Sequence, residues 1–302
     1  NKWRRKNRLK IKKSMMKKWL VSILFATASY AFSTPLSFNW KQNKAEVTEI
    51  TDIPYGVTET NDVSSNVIEY RYFIQLTKRG ISNFVLSYGN RNIISINDYK
   101  PSEEDVLSSQ TLPPLVLLIN QSGQAVDIIN WKDFYTQSKK ISLEKKSISK
   151  DDLEELNNLE IQNAIKQKKM DNPWGYWIWL WADINPDKLP APSQKNFSIL
   201  GIPYIQTSSY ELINQTDQEI TLRYQSQVNM DQTADISNES FLKTDKVTTK
   251  ELIDADQLFK SVTVTATLAK QTMQPKSVEV SEVSSFPFIK IKRTTYRFKW
   301  FN

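Results

Sequence analysis

Apolar and polar residues alternate with a period of two along much of the chain, and this pattern limits the possible folds most strongly. It is clearest in residues 67–76, which precede a Lys-Arg-Gly turn at 78–80 and a second alternating run at 84–88. Successive side chains of a strand point to opposite faces of a sheet. The two runs therefore predict a hairpin of half-buried strands.

Similar runs predict strands through most of the remaining chain. An apolar run at 115–119 and a second run at 125–129 flank the turn sequence Asn-Gln-Ser-Gly and predict another hairpin. The final run is long enough to tie the C-terminus into a sheet. The other predicted strands are residues 92–96, 197–205, 210–214, 219–225, 262–268, 278–280 and 288–301.

The middle of the chain changes to a helical period. A capping-box pattern at 149–152 precedes apolar residues at helical intervals, which predicts an amphipathic helix over 150–169. Pro173 is placed to open a second short helix that runs through Trp181 and stops at Asn185-Pro186. A third short helix is expected after Thr249. The fold class is α+β, mainly antiparallel β: a curved sheet or half-barrel with the helical middle packed on it.

The N-terminus reads as a leader and secretory signal peptide over residues 1–31. Lys17-Lys18 precedes an apolar run at 19–26 and then small residues, with Ser29 and Ala31 suited to cleavage after Ala31. The apolar run is shorter than the roughly 18–20 residues that span a bilayer. We therefore expect cleavage, translation from Met15 or Met16, and a mature protein in the periplasm or secreted.

The mature region, residues 32–302, is expected to form one β-rich domain. It could consist of two similar halves, at about 38–135 and 197–302, joined by helices at about 150–185. The first 31 residues hold ten Lys and Arg and no acidic residue, so the rest carries 30 basic and 33 acidic side chains, a net charge of −3. Such a balance provides no basic face for nucleic acid, which we exclude as a partner.

Missing residue types remove most familiar chemistry. The chain has no Cys and no His, which excludes catalytic triads, Cys–His pairs, zinc sites of the usual kind and haem ligation. Its six glycines are too dispersed for a phosphate-binding loop. Carboxylate chemistry remains, but the acidic clusters have no diagnostic spacing. We predict no catalytic residue, no metal ligand and no cofactor, and favour a non-enzymatic protein.

Four tryptophans lie within eight residues: Trp174, Trp177, Trp179 and Trp181. In a helix, Trp174, Trp177 and Trp181 share one stripe and Trp179 lies on another. One interpretation is a helix docked on a concave sheet, with the rings filling the core. The other is that these rings line a ligand cavity or form a platform for acyl chains or sugar rings, which makes the four tryptophans the candidate ligand-binding residues.

Three features in order along the chain carry a resemblance. They are the Leu-Pro-Pro, apolar strand and Ser-Gly turn of residues 112–129, the Trp-bearing middle, and Thr272-x-x-Pro275 before the strand at 278–280. In this order the chain resembles uncharacterised exported bacterial β-rich proteins. More distantly, it is similar to the lipoprotein-carrier type of fold, which implies a curved antiparallel sheet around helices that can shelter acyl chains. The resemblance implies no site residue.

These observations favour a periplasmic binding or carrier protein for an apolar ligand. Two alternatives stay open. One is a structural or interaction module of the cell envelope, for which the aromatic rings would anchor a partner protein. The other is a carbohydrate-binding or carbohydrate-active protein in which Asp171 or Asp183 works beside the tryptophans. No transmembrane segment is expected in the mature chain.

Overall fold

A computed structural model describes residues 38–55, 64–80, 82–109, 112–144, 156–182, 184–199, 202–230, 260–284 and 290–301. Several sequence-based expectations lie outside these ranges. They are the leader and signal peptide, the capping box at 149–152, the helix expected after Thr249, and the candidate acid Asp183.

The described residues form one curved antiparallel sheet of twelve strands, which confirms the predicted fold class. Its order is β6-β5-β3-β2-β1-β12-β11-β10-β9-β8-β7, and β4 pairs with β2 beside β3. The strands are β1 (Lys44–Tyr55), β2 (Ser64–Arg79), β3 (Asn83–Tyr88), β4 (Asn92–Ile96), β5 (Val116–Asn120), β6 (Ala125–Ile128), β7 (Ser193–Ile199), β8 (Ile202–Gln215), β9 (Glu219–Met230), β10 (Lys260–Ala269), β11 (Pro275–Ser284) and β12 (Lys290–Phe301).

Two meanders meet at the centre of the sheet. The first and last strands, β1 and β12, pair antiparallel there, with Val47 opposite Phe298. Since β6 and β7 are the two edges, the chain between them must pass from one edge to the other. That connection carries most of the helices, α2 (Trp131–Glu144), α3 (Leu159–Asp171), α4 (Trp174–Trp177) and a 3-10 turn (Trp179–Trp181), whereas α1 (Glu103–Ser109) lies between β4 and β5. The division of 32–302 into two similar halves stays a prediction.

One face of the sheet is buried, as the period-two pattern predicts. In β10, Val262, Val264, Ala266 and Leu268 are buried, while the threonines between them are half-buried. In strand β5, which is apolar at four successive positions, only Leu117 and Ile119 are fully buried.

Most of the predicted strands are present, but one strand prediction is wrong and two elements were not predicted. Residues 197–205 are not one strand, because Ile199 pairs with Ile202 and the chain reverses between them. Strand β1 and helix α2 were not expected from the sequence. In β1 the core face carries Glu49 and Thr51, which break the apolar alternation, and α2 buries little beyond Phe134 and Tyr135. Within the described part, α3 begins only at Leu159 and ends at Asp171.

Gly123→Ala is expected to lower the free energy of unfolding by about 2 kcal/mol, because two costs add at this turn. Gly123 has a φ of 83°, and an added Cβ would lie 2.9 Å from Cγ2 of Ile178 and 3.2 Å from the Phe38 ring. The matched control is Gly80→Ala, since Gly80 has a φ of 70° but open space around it. Urea denaturation should show a loss of about 1 kcal/mol in the free energy of unfolding for Gly80→Ala. Equal losses would contradict the close packing.

Candidate functional site

The tryptophan segment packs as the helical spacing predicts. Trp174, Trp177, Ile178 and Trp181 are all 0% exposed, although the segment is a single α turn followed by a 3-10 turn. Pro173, predicted to open the helix, occupies its N-cap position, and the first helical residue is Trp174. Trp179, on the other stripe, is half-buried.

The three buried rings each contact a different part of the core. The Trp174 indole N–H donates to the Gly123 carbonyl at 2.8 Å. Trp177 makes edge contacts with Tyr296 and Phe298 of β12, at ring-centroid distances of 5.3 and 5.0 Å. The Trp181 indole N–H donates to the backbone carbonyl of Tyr176 at 2.9 Å. These contacts match the core-filling interpretation; ligand binding by the four tryptophans stays a prediction.

A cavity of about 380 Å³ lies beside this aromatic core and is partly open to solvent. None of the four tryptophans lines it, and Pro173 is the nearest part of their segment that does. Its lining comes from β1, β2, β3 and β12, from the loops before β4 and β5, and from α2 and α3. The concave face of the sheet and the helices that cross it therefore enclose the space together.

One wall of the cavity is apolar. It is formed by the loop between α1 and β5 and by one side chain of α2: Leu112, Pro113, Pro114, Leu115 and Phe134. The two prolines lack N–H groups, so this loop presents hydrocarbon without unpaired backbone donors. Asn130 holds the loop in place, because its side-chain amide donates to the Pro114 carbonyl at 2.7 Å and its oxygen accepts from Val116 N–H at 3.0 Å.

A second wall is centred on an ion pair. Glu49 projects from the concave face of β1 and accepts two hydrogen bonds from Arg91, from Nε at 3.1 Å and from Nη2 at 2.5 Å. The Glu49 side chain is 9% exposed and that of Arg91 is 44% exposed. The Arg91 guanidinium also lies 3.4 Å from the ring centroid of Tyr70. This arrangement fixes the guanidinium at the cavity surface.

Three tyrosines lie around the ion pair. Burial, together with the negative charge of Glu49, raises the pKa values of Tyr72, Tyr88 and Tyr296, so their hydroxyls stay protonated. The Tyr88 hydroxyl oxygen is buried and has no hydrogen-bond partner in the part of the chain that the structure describes. An unpaired buried hydroxyl is costly, which makes it a candidate contact for a bound ligand.

Three lysines complete this second wall, the positive wall of the cavity. Lys168 and Lys169 lie in the last turn of α3, and Lys292 lies on β12. None of the ion pairs identified within the described ranges involves these lysines. The pKa of Lys169 is lowered, first by burial and then by the positive charges of Lys168, Arg91 and Lys292. With Arg91 and Glu49 included, the formal charge on the cavity lining is +3.

Two further groups lie near the cavity but do not line it. Tyr176 donates to Glu282 of β11 at 2.9 Å. Asp171, a candidate acid in the carbohydrate hypothesis, accepts from Gln167 at 3.0 Å. Burial raises the pKa of Asp171 to about 6, and the Gln167 hydrogen bond opposes that rise. Neither carboxylate is paired with a second carboxylate across the cavity.

Sequence reasoning did not find the cavity residues. Glu49 lies on a strand that was not predicted, and Arg91 follows a strand end with no motif around it. The pair Lys168-Lys169 at the end of a predicted helix was a visible signal of a positive surface. Cations are also favourable at a helix C-terminus. Among the described residues no helix is long and apolar enough to cross a membrane, and no cluster of three metal-ligating side chains occurs.

Comparisons with known proteins add little to this geometry. No family model and no curated protein matches the sequence. One similar solved structure is titled "Lipid-protein interactions in lipovitellin". It has a TM-score of 0.45 and 9% identity, and the match covers 86% of this chain and 25% of that one, so this chain spans about a quarter of its length. At this score the likeness carries no functional conclusion.

Proposed function

We propose that this chain is an exported, non-enzymatic binding or carrier protein whose ligand places an apolar part in the cavity. The cavity itself is the observation that carries the proposal: about 380 Å³ on the concave side, with one wall of proline, leucine and phenylalanine side chains. That volume falls within the range of roughly 300–1,000 Å³ typical of small-molecule sites. The signal-peptide pattern of residues 1–31 supports delivery to the periplasm.

The polar groups of the cavity support binding rather than catalysis. Among the described residues that line it, Glu49 is the one carboxylate, and both of its oxygens accept hydrogen bonds from Arg91. A carboxylate held in this way is a poor general base, and hydrolysis of the glycosidase type needs a second carboxylate opposite the first. A stacking platform for sugars needs exposed ring faces, whereas Trp174, Trp177 and Trp181 are fully buried.

Asn90→Trp is expected to weaken binding of the uncharged probe N-phenyl-1-naphthylamine about tenfold, because the added indole fills the cavity mouth. Asn90 lines the cavity and is exposed, so the change costs the fold little. Fluorescence titration measures the affinity. Asn90→Ala is the matched control and should bind the probe as the unaltered protein does.

Native mass spectrometry of the full chain expressed in bacteria and recovered from their periplasm provides the second measurement. The expected spectrum shows the mass of a mature chain that begins at Phe32, increased by the mass of a bound apolar ligand. A ligand-free protein whose probe affinity is the same in Asn90→Trp and Asn90→Ala would overturn the proposal.

A further inference from the structure

We propose that the positive wall of the cavity binds a phosphate group, so that the ligand is an amphipathic phosphate ester with its apolar part on the neighbouring apolar wall. This inference deepens the proposed function and rests on it. It begins from the side chains of Arg91, Lys168, Lys169 and Lys292, which reach one cavity from three separate parts of the chain.

The charges on the cavity lining call for an anion. Four cations face one carboxylate, and that carboxylate already pairs with Arg91. Lys169 is left facing Lys168 and Lys292, and the positive charges of both are among the causes of its lowered pKa. Glu282 of β11 accepts from Tyr176 and does not line the cavity. An anion between the lysines would relieve the repulsion.

The available donors suit a tetrahedral dianion better than a carboxylate. Each lysine offers three N–H donors, and Arg91 keeps Nη1 free of the two bonds that it makes to Glu49. Tyr88 also lines the cavity, and its protonated hydroxyl, buried and unpaired among the described residues, is a further donor. A phosphate monoester has three terminal oxygens and a charge near −2, which offsets most of the +3 of the lining. A single carboxylate would leave two positive charges unbalanced.

The geometry places the two parts of such a ligand side by side. Lys169 Nζ lies 5.6 Å from the ring centroid of Phe134, which belongs to the apolar wall. The positive wall and the apolar wall are therefore neighbours, and a short ester linkage would connect a bound phosphate to an apolar chain. Ligand recognition divides between the walls: apolar area supplies affinity, and the phosphate supplies orientation and specificity.

Calorimetric titration with three probes tests the inference: oleoyl lysophosphatidic acid, monooleoylglycerol and inorganic phosphate. The two lipids share one acyl chain and differ in the phosphate. We expect lysophosphatidic acid to bind at least tenfold more tightly than monooleoylglycerol. Lys169→Met and Lys292→Met should each remove most of that preference without weakening monooleoylglycerol binding. Lys188→Met is the matched control, because Lys188 is exposed and does not line the cavity.

The outcomes separate this inference from the proposed function. Equal affinity for the two lipids would overturn the phosphate site and leave the apolar carrier intact. A preference that survives both lysine substitutions would also overturn it. Binding of inorganic phosphate alone, lost in Lys169→Met, would support the phosphate site with a free anion as its ligand and overturn the apolar carrier. Thermal unfolding of each variant checks that the fold is retained.

Discussion

Trp177→Ala is expected to lower the free energy of unfolding by about 3–5 kcal/mol, the range seen when a large buried ring is truncated. Trp177 is 0% exposed and joins the helical connection to the sheet through Tyr296 and Phe298. Loss of the ring would leave a cavity between α4 and β12, and the flanking Trp174 and Trp181 are too tightly packed to fill it. Urea denaturation, followed by circular dichroism, measures the change.

Phenylalanine substitutions separate ring packing from hydrogen bonding. Trp174 donates its indole N–H to Gly123, whereas the Trp177 indole N–H has no partner in the described part of the chain. Trp174→Phe should therefore cost about 1–2 kcal/mol more than Trp177→Phe, since it leaves the Gly123 carbonyl unpaired. Trp177→Ala within 1 kcal/mol of the unaltered protein would contradict the role of this ring in the core.

Arg91→Ala is expected to lower the free energy of unfolding by about 2–3 kcal/mol. The cost arises from Glu49, whose 9% exposed carboxylate would keep only the Thr51 hydroxyl, at 3.4 Å, as a donor. A buried charge that loses its partner still has its desolvation cost, and no ion pair offsets that cost. Because the Arg91 guanidinium is 44% exposed, the expected loss is smaller than for a fully buried pair.

Arg71→Ala is the matched control for this substitution. Arg71 is 45% exposed and pairs with Glu69 at 3.1 Å, but Glu69 is 26% exposed and retains contact with water. The control should lose no more than about 0.5 kcal/mol. Adding Glu49→Gln to Arg91→Ala should recover about 1 kcal/mol, since the amide carries no charge. Equal losses for Arg91→Ala and Arg71→Ala would show that burial of Glu49 does not matter.

The strands that the sequence predicted are those with an uninterrupted apolar face. The hairpin of β2 and β3 was predicted within a few residues of its observed bounds, and β10 shows the same regular burial. The buried stripe of the tryptophan segment also followed from helical spacing alone. In each case the local period of the sequence predicts which face is buried.

Strand β1 is not predicted by the local period of its sequence. Its inward positions include Glu49 and Thr51, so its pattern is not that of a core strand. Of these two polar residues, Glu49 lines the cavity. Departures from a local rule are expected at functional sites, where stability is given up for binding. A carboxylate at the centre of a sheet is in retrospect the signal that marked this site.

By itself the sequence determined the mainly antiparallel fold, the buried face of most strands and which tryptophans share one helical stripe, because each depends on residues a few positions apart. Only the tertiary structure decided the site. Pairing of β1 with β12 brings Glu49 beside Tyr296, and the crossing of α3 over the sheet brings Lys169 to Arg91. Contacts between distant segments depend on which strands pair and where the connection crosses the sheet, and no local period encodes either.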